Sequence, residues 1–409
     1  MMKKTLLVIL LLAVLISACS SGAPQTASTQ AVAQPTSPST PTAIPDTPTI
    51  PPTQTSTSLP TEPPATPTTP ATPTQYVVGP VDFPDAVNPL TGLPVSDPNN
   101  LNRRPMAVKV QLYPRGQRPV WGVSQADIVY DYYQNNGLTR LNAIFYGSNA
   151  DQIGPIRSAR LFDESIIRMY DALFAFGGAA SYVLNRFNNA EYSDRLVTEG
   201  RGRCPPMCRI DPNGFNYLVT SSPELTLYAL REGIDNARQD LDGMSFSSNP
   251  PAGGEAGQQL YTRYSISAYN RWDYDPASGK YLRNQDIQED NSEQDEAFAP
   301  LIDGMTGQTI TADNVVVLFL PHQPAEAAGT RNAVDISLSG SGDAIAFRDG
   351  QAYKVRWNRP TKDSALFLTS ADGEFFPFKP GNTWFQVVGI STQVENPESG
   401  VWRFESQFP

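Results

Sequence analysis

One long stretch of this chain is unable to build a core. From about residue 20 to 75 it consists almost wholly of Thr, Pro, Ser, Ala and Gln, it has no aromatic residue, and only Asp46 and Glu62 carry charge. Too little apolar surface is available there to offset the entropy of ordering the chain. Its prolines favour the extended polyproline II form, so the stretch is expected to be a disordered Thr/Pro-rich tether over 19–75, reaching at most roughly 170 Å. The residues before it explain what a tether is for. Lys3 and Lys4 precede an apolar run from Leu6 to Ile16, shorter than the roughly 20 residues of a membrane span. A basic start, a short apolar core and small residues at a cut site form a secretory signal, expected over 1–18.

The cut site is specific. Ile16-Ser17-Ala18-Cys19 resembles the lipobox of bacterial lipoproteins, in which a diacylglyceryl group (palmitate-type acyl chains) is attached to the thiol and cleavage leaves the cysteine as the first residue. Cys19 is therefore the expected lipidation site. The expected location is the extracytoplasmic face of the cell membrane, with the lipid at Cys19 as the membrane contact. Two further cysteines, Cys204 and Cys208, flank Pro205-Pro206-Met207. In an exported protein disulfides persist, and a disulfide between these two is expected; free thiols and a metal half-site are the alternatives, the latter short of a second pair. The formal net charge is −11, and no Lys or Arg occurs between Lys4 and Arg103. Nucleic-acid binding calls for a basic patch or stripe, so no nucleic-acid partner is expected and any anion site must be local.

The folded part starts near Tyr76. Met106, Val108 and Val110 alternate with Ala107 and Lys109 as in a strand. Asp127–Tyr133 and Leu141–Tyr146 are further strands, joined through Asn136-Gly137, a hairpin signal. Phe162, Ile166, Met169 and Leu173 recur at helical spacing; Ala180, Val183, Leu184 and Phe187 form a second helical stripe. A third helix is expected from Ser222 as N-cap, with Pro223 in its first turn, to Gly233. This order gives an α+β domain over 76–243. Residues 244–258, rich in Ser, Asn, Pro and Gly, form a linker. A β-rich antiparallel domain is expected over 259–409, with turns at Asp275–Gly279, Asp349-Gly350 and Asp372-Gly373. Residues 284–298 are expected as an exposed acidic loop.

Several motifs occur in serial order: Asn88-Pro89-Leu90-Thr91-Gly92, Arg104-Pro105-Met106-Ala107-Val108, Ser124–Tyr130, Thr139-Arg140 and Ile153–Arg160. Together they resemble the YerB-like lipoprotein family, which has an N-terminal and a C-terminal domain of unassigned function. Asp335-Ile336-Ser337, Asp349-Gly350 and Gly381-Asn382-Thr383-Trp384 give a looser match to the second domain. The resemblance implies architecture and address and brings no established reaction. Family members often carry a histidine before the Gly-rich segment, where this chain has Phe174-Ala175-Phe176-Gly177-Gly178, and Pro-His-Asn where it has Gly214-Phe215-Asn216. If those histidines do chemistry, this chain lacks it, which favours binding over catalysis.

The chemistry-bearing candidate is Gly154–Arg160. Gly154-Pro155 should make a tight turn that places Arg157, Ser158 and Arg160 at a helix start, where unpaired N–H groups favour anions. Arginine forks match phosphate and carboxylate. Arg140, ending the hairpin, and Asp127 are expected beside them. The competing role is structural, with the arginines paired to Asp163, Glu164 or Asp127. Asp127 and Asp131, four apart on a strand, share a face. The one histidine, His322, is expected at the surface. Trp272, Trp357 and Trp384 are expected to pack the second domain, with carbohydrate stacking the minority role. No catalytic residue, metal site or cofactor is assigned: there is no Gly-x-Ser-x-Gly, P-loop or His-Glu-x-x-His.

The expected function is a binding module for an anionic cell-envelope ligand or a partner protein. One alternative is an enzyme, loosely similar in the order strand-Asp, hairpin, arginine-bearing turn to LytR-type wall-polymer transferases that act on polyprenyl pyrophosphate with magnesium. The other is a purely structural envelope lipoprotein.

Overall fold

The computed structural model describes residues 76–202, 204–211, 217–292, 295–325 and 333–408. The signal sequence, the tether, Cys19 and Gly214–Asn216 lie outside them. Strands dominate and helices are few. The turn chemistry accounts for much of this. Asn136 and Gly137 take φ of 53° and 74°, the two left-handed positions that a tight two-residue hairpin requires, and they join Ile128–Asn135 to Leu138–Phe145. Asp349 and Gly350, at 52° and 72°, do the same for Gly340–Arg348 and Gln351–Arg359.

The largest sheet has eleven strands. Across it run Glu255–Ala256, Gln351–Arg359, Gly340–Arg348, Asn314–Leu320, Thr383–Gly389, Ile128–Asn135, Leu138–Phe145, Met106–Gln111, Leu173–Phe176 and Leu196–Thr198, with Phe367–Thr369 on the side of Gln351–Arg359. A seven-stranded sheet runs Phe298–Pro300, Lys280–Asp286, Ala268–Asp275, Gln259–Ser265, Val401–Glu405 and Gln393–Glu395, with Thr311–Ala312 beside Lys280–Asp286.

Side chains alternate across a strand, and here both faces are used. Ile128, Tyr130 and Tyr132 enter a core with Ile166 of helix α1 (Asp163–Met169) and Phe187 of helix α2 (Ser181–Asn188). Val129 enters a second core with Leu260 and Trp272 of the smaller sheet and Leu225 of helix α3 (Ser222–Glu232). The result is three layers: α1 and α2, the large sheet, then the smaller sheet with α3.

The expected α+β half and β-rich half share one compact, mostly β unit. The strand Thr383–Gly389, from the second half, pairs in parallel with Ile128–Tyr132 of the first and with Asn314–Leu320 on its other side. All seven of its residues are buried, and a strand buried on both faces needs neighbours and cover on every side. Both cores accordingly draw on both halves.

Smaller expectations shift as well. Helix α1 stops at Met169, Asp171 is left-handed at φ 49°, and Leu173 begins a buried strand parallel to Met106–Val108. The N-cap of α3 is Ser221, whose hydroxyl accepts from the Glu224 N–H at 3.2 Å, and Gly233 closes the helix at φ 68°. The expected acidic loop at 284–298 begins as a strand, and its Asp286 and Asp290 are fully buried. Asp286 accepts from Tyr113, Arg115 and Arg118, and Asp290 pairs with Arg263 at 3.0 Å. All three tryptophans named above are at most 2% exposed, so none offers a stacking face.

Candidate functional site

Strand register assembles the site. Lys109 lies opposite Asn142, and Gln111 opposite Arg140, on the paired strands Met106–Gln111 and Leu138–Phe145. Arg140 in turn lies opposite Tyr132. Opposed residues and residues two apart share a face, so all five side chains project from the side of the sheet that carries α1. Asp163, the first residue of α1, meets them there. Its Oδ1 accepts from Asn142 at 2.8 Å, from Lys109 Nζ at 3.3 Å and from the Tyr132 hydroxyl, while Oδ2 accepts the Arg160 N–H at 2.7 Å.

Lys109 is fully buried. Desolvation pulls its ammonium down to about 7; Asp163 opposes this, and Arg140 and Arg160 add to it. Arg140 is pulled down to about 9, first by burial and then by Arg160, with Arg157 contributing. Its Nη1 donates to the Ser158 carbonyl at 2.6 Å. Arg160 donates to the Ala159 carbonyl and to the Gln134 amide oxygen, both at 2.9 Å. Arg157 donates to Gln111 Oε1, and to Gln117 Oε1 at 3.2 Å. Among the described residues, neither Arg140 nor Arg160 forms an ion pair with a carboxylate. Three mutually repelling cations (Lys109, Arg140 and Arg160) thus gather around a single buried carboxylate, with Arg157 close enough to depress Arg140.

Arg140, Arg157, Ser158 and Arg160 therefore come together, but not at a helix start. Residues 153–157 are stitched into extended pairings: Ile153 with Thr220, Gly154 with Trp121, and the Arg157 N–H to the Lys109 carbonyl at 2.9 Å. Helix α1 begins only at Asp163. Asp127 does not join the arginines. It stands opposite the Ile144 end of the hairpin, four residues from Arg140 and so about 13 Å along the strand. Its Oδ2 accepts the N–H groups of Tyr146 (2.6 Å) and Gly147 (3.0 Å), and burial pushes its carboxyl up to about 6. Asp131 points to the opposite face and pairs with Arg283 at 2.7 Å. The Asp–Arg arrangement of a transferase is thus not formed by these aspartates.

Sequence reasoning missed Lys109 as part of the site. The available signal was a lysine flanked by Val108 and Val110 in a strand that is otherwise apolar up to Gln111. His322 is only partly exposed: it packs 4.9 Å from the Phe408 ring, its Nδ1 lies 2.9 Å from the Leu320 carbonyl, and burial pushes it down to about 4. The sulfurs of Cys204 and Cys208 are joined, with Cα atoms 4.6 Å apart. Among the described residues no group of three or more His, Cys, Asp or Glu side chains gathers, and no helix is long and apolar enough to cross a membrane.

The comparisons with known proteins agree with this architecture. The chain is 24% identical over 315 residues to "Putative lipoprotein YerB" of Bacillus subtilis (strain 168), covering 73% of this chain and 85% of that one. The crystal structure of the YerB protein from Bacillus subtilis matches with a TM-score of 0.62 at 23% identity, over 74% of this chain and 96% of that one, which shows a shared fold. Residues 90–222 match the N-terminal domain, and residues 260–385 the C-terminal domain, of the protein family of unknown function DUF3048. With both domains matched in order over more than half its length, the chain belongs to the DUF3048 family.

Proposed function

We propose that this protein is a lipid-anchored extracytoplasmic module whose folded part binds an anionic cell-envelope ligand at Arg140, Arg157, Ser158 and Arg160. The address is supported by the lipobox at Cys19 and by the similarity to a protein named as a putative lipoprotein. The binding reading rests on one observation: among the described residues Lys109, Arg140 and Arg160 share only Asp163 as a carboxylate, in a chain whose net charge is −11. Holding partly buried guanidinium groups together without counter-charges is costly, and an incoming phosphate or carboxylate relieves that cost. Arg140 and Arg160 are held in place by carbonyl and amide oxygens, which fix the donors without neutralising them.

The test is calorimetric titration of the full chain with pyrophosphate and with phosphate-bearing envelope fragments. Arg160→Gln should weaken binding about ten- to a hundredfold, the worth of one or two charge-assisted bonds. Arg140→Lys should weaken it less, because an ammonium keeps the charge and loses the fork. Equal affinities for all three folded proteins would discard the site and leave a protein-binding or purely structural role.

A further inference from the structure

A second cationic concavity lies beyond α1. A cleft of about 490 Å³ opens between α1, α2 and the segments 335–339 and 359–362, and Arg168, Arg186, Arg359 and Lys362 line it together with Glu164 and Asp335. Three of these cations are already engaged. Glu164 pairs with Arg168 at 2.9 Å and also with Arg186; Asp335 reaches Arg186 at 3.4 Å; Glu191 bridges Arg168 and Lys362, the latter at 3.0 Å.

Arg359 differs. It is 3% exposed, and among the described residues it has no carboxylate ion pair. Its guanidinium donates to three backbone carbonyls: Leu338, Ser165 at 3.2 Å, and Lys362. Its Nε–H is buried and meets no acceptor. A buried cation held by neutral oxygens, with one donor unspent, is expensive to maintain for architecture alone, since an apolar side chain would fill the space at lower cost. The same arrangement is what an oxyanion site needs: a fixed planar donor, with half-exposed Arg186 and exposed Lys362 beside it, each held by carboxylates that a ligand would have to displace.

We propose that this cleft is a second ligand site, taking a small molecule through a phosphate or carboxylate group anchored on Arg359. It is separate from the Arg140–Arg160 cluster, and each can fail without the other. Glu164 is the built-in competitor. It occupies the guanidinium groups that the ligand would use, so its removal should help binding.

The experiment isolates the cleft by working with the full-length chain carrying Arg160→Gln. Inorganic phosphate and malonate are the two probes, so the arms separate phosphate from carboxylate recognition. Saturable binding of at least one is expected. Arg359→Lys should weaken it about tenfold, Arg186→Gln should weaken it less, and Glu164→Gln should strengthen it. Because Arg359→Lys removes bonds to three backbone carbonyls, the Arg186 and Glu164 variants carry the test if that one unfolds in a melting curve. A purely architectural Arg359 predicts no gain from Glu164→Gln. Absence of saturable binding by either probe, or affinities unmoved by the Arg186 and Glu164 changes, overturns the proposal. Binding that survives Arg359→Lys in this background but vanishes when Arg140 is also changed to Gln would belong to the first site and likewise overturns it.

Discussion

Asp131 and Arg283 meet at 2.7 Å with both side chains fully buried, and they come from different sheets. The guanidinium packs against the rings of both Trp272 and Trp384, 5.1 and 5.0 Å from their centres, and also donates to Gln285 at 2.7 Å. Asp131 stands in the first half of the sequence and Trp384 in the second-half strand that runs two places along the same register, opposite Val129. One charge pair therefore fastens the large sheet to the small one where the two halves of the sequence interleave.

Removing one member should be far worse than removing both. Arg283→Met leaves Asp131 buried and unpaired, and should cost about 3–5 kcal/mol. Asp131→Leu combined with Arg283→Met should recover most of that, because no charge is then left in the core. Urea unfolding of the two proteins checks it. A double variant as unstable as the single one would show that the pair contributes net attraction rather than mutual neutralisation. Loss of a single cooperative transition in either would show the halves separating.

How much of this was legible beforehand follows a physical line. Local rules found the hairpin at Asn136-Gly137 and the stop of α3 at Gly233, and set its N-cap one residue late, because a left-handed turn or a helix cap is chosen by the few residues that form it. They failed at Leu173, whose helical spacing after Met169 is overridden by a place in the middle of a sheet. They failed also at Asp286 and Asp290, acidic residues that look solvated until arginines distant in sequence are folded against them. The arginines of the candidate site were visible as residue types; Lys109 was not, since its burial depends on both sheet partners and on α1. The interleaving of halves was invisible for the same reason: nothing in Thr383–Gly389 names Ile128–Asn135 as its neighbour.

Lys109 should leave a signature in the pH dependence of stability. Its ammonium loses the proton near pH 7 in the folded chain and near 10.5 when unfolded. Between those values the unfolded state binds more protons, so folding gains stability as pH rises, and the gain is lost as pH falls back toward 7. Lys109→Met removes this contribution. The stability of the native protein minus that of the variant should climb between pH 7.5 and 9.5, by up to about 1.4 kcal/mol per pH unit. Stopping at 9.5 keeps clear of Tyr130 and Tyr132, whose burial raises them well above 10. A flat difference would mean that Lys109 stays charged in the folded protein.

The Cys204–Cys208 link closes a very short loop, with a sequence separation of 4. Its effect on the unfolded chain is correspondingly small, about 2 kcal/mol by chain entropy. Replacing both cysteines with serine should lower unfolding stability by that order and leave the fold intact, as followed by denaturant titration. A non-reducing peptide map of protein taken from its native envelope should show the linked pair. Two freely alkylated thiols would contradict it.

Cys19→Ala is the test of address. The lipobox reading makes the thiol the acyl acceptor, and a myristoyl-length chain alone binds membranes only marginally, whereas two or more chains hold firmly. A diacylglyceryl-modified Cys19 should therefore keep the native protein in the membrane fraction through high-salt washing, which strips proteins held by charge alone. The variant should leave that fraction and, if still cleaved, appear in soluble or secreted material. The acidic balance of the chain, −11 overall, gives no electrostatic reason for it to stay on an anionic surface. Membrane retention of Cys19→Ala equal to that of the native protein, after the same wash, would mean that some other segment anchors the chain, and the proposal of a lipid-anchored module would have to be withdrawn even if both anion sites bound their probes.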